Sequence, residues 1–158
     1  LSVLPDACCI VPERRQEITT EGGLDVASQQ DRFKKFVKPL VDKGILVSMF
    51  IAPDKNQILA SFNTGAQYIE LHTGSYSRAF SSVNEEAQFL KLKNSALLAH
   101  KLGLKVNAGH GLNYKNVHRM HEIGVIEELN IGHSIISRAL FNGLESAVKE
   151  MYNLVNKN

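Results

Sequence analysis

Three short segments set polar groups where packing alone would favour apolar ones. In Ile69-Glu70-Leu71-His72-Thr73-Gly74 a carboxylate sits inside an apolar run and beside a His-Thr-Gly turn, well placed to contact a ligand. In Asn107-Ala108-Gly109-His110-Gly111 two glycines flank a histidine. They let the backbone turn sharply and approach a ligand closely. An imidazole there, with an ordinary pKa of about 6.5, suits general acid or base work. In Asn130-Ile131-Gly132-His133-Ser134 a glycine opens a helical segment. The N–H groups exposed at such a helix start favour an anion. Each feature also has a plainer reading: Lys105, Asn107 and Asn130 as core polar groups bonded to one another or to water, His110 as a loop cap, and the Gly-His pair as a simple turn.

The elements that must position these residues alternate along the chain. Apolar runs at 7–11, 45–51, 67–71, 104–107 and 127–131 read as strands. Between the first two, Phe33, Phe36, Val37, Leu40 and Val41 recur at the spacing of one buried helix face, with Pro39 inside and Gly44 after the end. A short helix is expected over 53–62, with Pro53 in its first turn. A loop over 72–83 leads to a long helix over 84–102, with Asn84 as N-cap and Glu85 and Glu86 in the first turn. Further helices are expected up to about residue 123, after Gly132-His133, and over 144–155. Strand and helix in regular alternation imply a parallel sheet. Five units do not close an eight-strand barrel, and the pattern alone leaves an open doubly wound sheet as an alternative.

A parallel strand is covered on both faces and should be almost wholly apolar. Glu70, Asn107 with Lys105, and Asn130 break that rule in the same way, polar on one face and apolar on the other. Burying an unpaired amide costs roughly 2–7 kcal/mol, so such positions need compensation. The mouth at the C-terminal strand ends, where barrel enzymes keep their sites, provides it. If the strand before Gly132-His133 is the last of a barrel, that turn lies at the usual phosphate position.

The totals exclude several classes. The 158 residues are 44% hydrophobic and 22% charged, with a net charge of +2 from interspersed residues. That balance asks for neither nucleic acid nor a membrane surface as partner. No apolar run approaches the roughly 20 residues of a membrane span. The first residues lack a signal-peptide pattern. The start at Leu1, almost directly before a strand, raises the expectation of missing N-terminal residues. Adjacent Cys8 and Cys9 point to opposite strand faces and read as two small buried residues, not a disulfide. His118 and His121 share a helix without a third ligand nearby and read, like His100, as a solvated face. The loop from Glu13 to Asp25, with Arg14, Arg15, Thr19, Thr20 and the Gly22-Gly23 pair, has the composition of a lid.

Together these segments resemble the pyridoxine 5'-phosphate synthase family. The likeness lies in Val11-Pro12-Glu13-Arg14-Arg15-Gln16-Glu17-Ile18-Thr19-Thr20-Glu21-Gly22-Gly23-Leu24-Asp25-Val26 and in the three strand-end segments above, in order and at similar spacing. The resemblance implies a TIM (β/α)8 barrel, here incomplete and covering about the fourth to eighth β/α units as one domain. It implies a cytoplasmic homo-octamer that condenses 1-deoxy-D-xylulose 5-phosphate with 3-amino-2-oxopropyl phosphate. The products are pyridoxine 5'-phosphate, inorganic phosphate and water, and no metal or organic cofactor is needed. It further implies that His110 is the proton donor and that Glu70 stabilises transition-state charge. Thr19 and Gly111 contact substrate, and Gly132 and His133 hold a phosphate. The family's first three strands, which carry a catalytic histidine, a catalytic glutamate and several substrate-binding arginines, have no counterpart in this chain, so the chain by itself is expected to be inactive. Two other functions fit the residues: a non-catalytic phosphate-binding partial barrel, and another phosphate-binding barrel enzyme such as an aldolase or isomerase. For an aldolase, Lys105 is the one inward lysine, and it lies deep.

Overall fold

In the computed structural model, which describes residues 2–12 and 22–156, five strands form one parallel sheet. They are β1 (Ala7–Ile10), β2 (Leu46–Ile51), β3 (Tyr68–His72), β4 (Lys105–Gly109) and β5 (Ile126–Asn130). Each pairs with its successor, in the order β1-β2-β3-β4-β5. A doubly wound sheet reverses its order at a switch point. This one does not, and it is compatible with part of a TIM-like barrel.

The connections are α1 (Gln30–Val41), α2 (Lys55–Thr64), α3 (Gly74–Ala79), α4 (Glu85–Lys101), α5 (His133–Asn142) and α6 (Leu144–Val155), with 3-10 turns at Ala27–Gln29 and Val117–Ile123. One face of the sheet, built from Val47, Met49, Ile51, Ile69, Leu71, Val106 and Ala108, is fully buried. It belongs to one core with the helix residues Val37, Ile58, Phe89, Leu92 and Ala96. Burial of each large aliphatic or aromatic side chain stabilises by about 1.5–3 kcal/mol. The opposite face is a trough of about 490 Å³ lined by Cys9, Ser48, Tyr68, Glu70, Asn107 and Asn130 among others. The two-faced alternation expected from Glu70, Asn107 and Asn130 is therefore present: apolar residues under helices, polar ones in the trough.

A bulge shapes the last strand. Val106 pairs with Ile126, but Asn107 pairs with Glu128. The extra residue, Glu127, lets Ile126 match the helix-covered face while Glu128 and Asn130 line the trough.

Local details depart from the sequence expectations where side chains found nearer partners. Pro53 precedes α2, and Asp54 is the cap, accepting from the N–H groups of Asn56 and Gln57. Gly65, with φ of 88°, ends that helix in the left-handed region. The 72–83 stretch contains the six-residue α3. Asn84 precedes α4 but makes no side-chain cap; Glu85 instead accepts from the N–H of Ser81, and Ser82 accepts from that of Asn84. Phe36 on α1 is exposed, not part of the buried face.

Candidate active site

The C-terminal ends of β3, β4 and β5 converge. Glu70, His110, Gly111, Gly132 and His133 line one cleft of about 550 Å³, with Phe50 and Asn130 in its wall. Glu70 and Asn130 also line the trough below, so they join the two spaces.

Glu70 stands in register with Asn107 of β4. Its Oε2 accepts from Asn130 Nδ2 at 2.9 Å and from the Cys9 thiol at 3.6 Å. Burial is the largest influence on the carboxyl and raises its pKa above the ordinary value; Cys9 and Asn130 pull it down, and the charge of Glu128 adds to the rise. Cys9 faces the trough and is exposed there, contrary to the expectation of two buried cysteines, while Cys8 on the other face is half-buried. Although the residue as a whole is exposed, the trough walls partly desolvate its sulfur; that burial, and then the charge of Glu70, push the thiol up to about 12. It is a hydrogen-bond donor at neutral pH, not a nucleophile.

His110 follows β4 with φ of 75°, in the left-handed region, and Gly111 follows with φ of 93°. Two such residues in succession turn the chain across the mouth. A set of hydroxyl and amide groups, of which Thr73 and Asn116 are buried, fixes that turn. Thr73 Oγ1 donates to the carbonyls of Gly109 at 2.8 Å and His110 at 2.7 Å. Ser77 Oγ donates to the Gly111 carbonyl. Asn116, fully buried, donates to Ser77 Oγ at 3.0 Å and accepts from the Asn113 N–H at 2.8 Å. Ser134 Oγ donates to Leu112 O at 2.9 Å, tying the turn to α5. The His110 ring stacks on His72. Burial, then the charges of His133 and Arg78, hold its pKa below 6.5.

Gly132 is the N-cap residue of α5 and makes no side-chain cap. The first N–H groups of a helix have no partner within it. Gly132, His133 and Ser134 line the same cleft as His110, and a helix start of this kind favours an anion.

A family model described as "Pyridoxal phosphate biosynthesis protein PdxJ" matches residues 1–157. The chain belongs to the PdxJ family. Its relatives include the pyridoxine 5'-phosphate synthases of Geotalea uraniireducens (strain Rf4), 52% identical, and of Geobacter sulfurreducens, 54% identical, each over 98% of this chain and 65% of the relative. The pyridoxine 5'-phosphate synthase of Neisseria meningitidis serogroup A is 55% identical over 96% of this chain and 62% of the relative. The chain thus spans somewhat less than two thirds of the length of these curated relatives.

Of the residues singled out in this PdxJ-family sequence, Glu70, His110, Gly111, Gly132 and His133 come together in one cleft. Thr19 lies outside the described residues, as does most of the lid-like loop. Sequence reasoning missed Cys9 as a partner of Glu70, and His72, Thr73, Ser77 and Asn116 as supports of the His110 turn. The His-Thr pair after Glu70 carried the one available signal; the other contacts join residues far apart in the chain. Lys105 lies at the start of β4, away from the mouth, 3.3 Å from Glu127. Tyr68 and then Glu127 raise its pKa. A Schiff-base lysine needs the reverse, so this position does not support an aldolase. His118 and His121 are exposed and bond to the carbonyls of Lys115 and Leu154. Among the described residues no group of side chains could hold a metal ion, and no helix is long and apolar enough to cross a membrane.

Proposed function

We propose that the natural protein carrying this chain is a pyridoxine 5'-phosphate synthase. It condenses 1-deoxy-D-xylulose 5-phosphate with 3-amino-2-oxopropyl phosphate to pyridoxine 5'-phosphate, inorganic phosphate and water. The observation that carries this reading is the meeting of Glu70, His110 and the Gly132-His133 turn in one cleft of a PdxJ-family chain. His110 donates a proton, and Glu70 stabilises charge that develops in the transition state. Gly132 and His133 take a substrate phosphate at the start of α5. Gly111 and Thr19 contact substrate. No metal or organic cofactor takes part.

In this reading the five strands are the fourth to eighth of a (β/α)8 barrel. Their sequential order and single helix-covered face support it. So does the meeting of Cys9, Glu70 and Asn130 from alternate strands, the layering of a barrel interior. The general base and the rest of the substrate clamp belong to the other three units, so the 158 residues alone turn over no product. The complete enzyme is a cytoplasmic homo-octamer. Exposed apolar side chains on α5 and α6, with Leu140 81% and Phe141 89% accessible, support further covering by protein.

The test is a turnover assay of the natural protein with both substrates, beside a His110→Asn variant. Loss of about 10²–10⁴-fold in kcat on removing a general acid is the expected result. No product from the unaltered protein, or undiminished turnover by the variant, would sink the reading.

A further inference from the structure

Glu70 is gripped from two sides. Asn130 on β5 and Cys9 on β1 both donate to Oε2, at 2.9 Å and 3.6 Å. The intervening strand β4 makes this reach possible. Gly109 pairs with Asn130 in register, and a Cβ on Gly109 would lie 2.4 Å from Glu70 Oε1 and 3.0 Å from Asn130 Cβ and O. Only a glycine leaves room for the Asn130 side chain to pass over β4 and for the carboxylate to rest there. Oε1 therefore lies against Gly109, one residue before His110, while Oε2 is taken by the two donors.

We propose that Asn130 and Cys9 are positioning residues for Glu70: they hold one carboxylate oxygen so that the other is presented to substrate at the mouth. What Glu70 does for substrate rests on the synthase reading; how it is held does not. Asn130 also leads directly into the Gly132-His133 turn, so the clamp ties the charge-bearing group to the anion end of the cleft. The titratable groups that line these two spaces with Glu70 are Cys8 and Cys9 from β1, Tyr68 on its own strand, Glu128 from β5, and His110 and His133 across the mouth; Ser48 and Asn107 complete the trough around it. Burial and Glu128 favour the protonated acid, and the two donors favour the carboxylate. Removing a donor must shift Glu70 toward the acid form.

The experiment compares the natural protein with Asn130→Ala, Cys9→Ala, Cys9→Ser and the double alanine variant. The Glu70 carboxyl is followed by carbon-13 NMR titration, assigned with Glu70→Gln, and the pH profile of kcat/KM is measured in parallel. A lost hydrogen bond to a charged group corresponds to a shift of roughly one pH unit. Asn130→Ala should raise the Glu70 titration by about that much, Cys9→Ala by less, and the double variant by the most. Cys9→Ser keeps a donor and should stay near the unaltered protein. The acid limb of kcat/KM should move upward in the same order, with kcat at neutral pH about tenfold lower and KM nearly unchanged. An unmoved Glu70 titration in Asn130→Ala and the double variant overturns the clamp. A moved titration with an unmoved acid limb upholds the clamp and overturns the catalytic reading of Glu70. Should Asn130→Ala not fold, Cys9→Val against Cys9→Ser decides: the valine must raise the titration and the serine must not.

Discussion

The imidazole of His110 lies on that of His72, with ring centroids 4.6 Å apart and planes 27° from parallel. Phe50 stands edge-on to both, at 5.4 Å and 6.3 Å. His72 ends β3 and is buried, so it forms a fixed shelf. His110 has the positive φ that side chains rarely adopt, at a cost of order 1–3 kcal/mol. The stack, with the Thr73 bond to its carbonyl, helps to offset that cost. His72→Ala should lower stability by roughly 2 kcal/mol in denaturant unfolding. It should also lower kcat of the natural protein at least about tenfold with little change in KM, the signature of a misplaced reacting group. Lower stability with kcat retained would mean that the shelf does not orient His110.

Gly109→Ala tests the crowding at the centre of the site. The new methyl would sit 2.4 Å from the Glu70 carboxylate, and contact there forces the carboxylate or Asn130 to move. A displacement of about 1 Å near reacting groups costs on the order of 10²-fold in rate. The expected result is that loss in kcat with only a modest change in unfolding midpoint. Near-normal turnover would show that Glu70 does not act from the position seen.

Glu70→Gln should stabilise the chain at neutral pH. The folded-state pKa of Glu70 is raised, chiefly by burial. Its protonated form therefore contributes stability below the ordinary value of 4.5, and that contribution is lost as pH rises through the folded value. Glutamine removes the charge and the loss. The gain is a few degrees in Tm at most, because the carboxylate is partly screened by solvent. The gain should be present at pH 7 to 8 and absent near pH 4. An equal shift at both pH values would contradict a burial origin.

The sheet and the main site groups were legible because each leaves a local mark. Alternating apolar and polar residues gave the trough face at Glu70, Asn107 and Asn130, and Gly-His pairs marked the two turns. Strand order was not legible, since nothing local distinguishes a sequential sheet from a doubly wound one. The β5 bulge was hidden too: it exists only against β4, where Asn107 skips to Glu128. Cys9 read as a small core residue because its partner lies 61 residues away. Asn116 carried no local signal, because its partner Ser77 lies 39 residues earlier. Asn84 misled in the other direction, a favoured cap type whose place was taken by Glu85 and Ser82.

Asn116→Ala should be among the more damaging changes outside the cleft. One fully buried amide accepts from the Asn113 N–H and donates to Ser77 Oγ and, at 3.3 Å, to the Gly111 carbonyl. Truncation leaves those groups without that partner, at about 1–3 kcal/mol for a buried group. Chemical denaturation should show a loss of that size. Because the amide braces the His110 turn, hydrogen exchange at 110–113 should rise by more than the global loss explains. Exchange that rises evenly over the chain would assign Asn116 to overall stability alone.

His110 combines a proposed role as proton donor with a pKa held below 6.5 by burial and by the charges of His133 and Arg78. In the free protein its imidazole is mostly neutral at pH 7. The linkage sign follows: the unfolded chain takes up this proton near 6.5, and the folded chain only at lower pH. Its contribution to stability is full above about 6.5 and is lost as pH falls from there toward the folded value. An anion on the Gly132-His133 turn would offset the positive charges nearby and restore the imidazolium. Nitrogen-15 NMR of His110 should therefore show a titration below 6.5 in the free protein that moves upward, saturably, with inorganic phosphate. His133→Ala should reduce that movement. A titration that phosphate leaves in place would separate the anion turn from the proton donor, and with it remove the reason for setting both in one cleft.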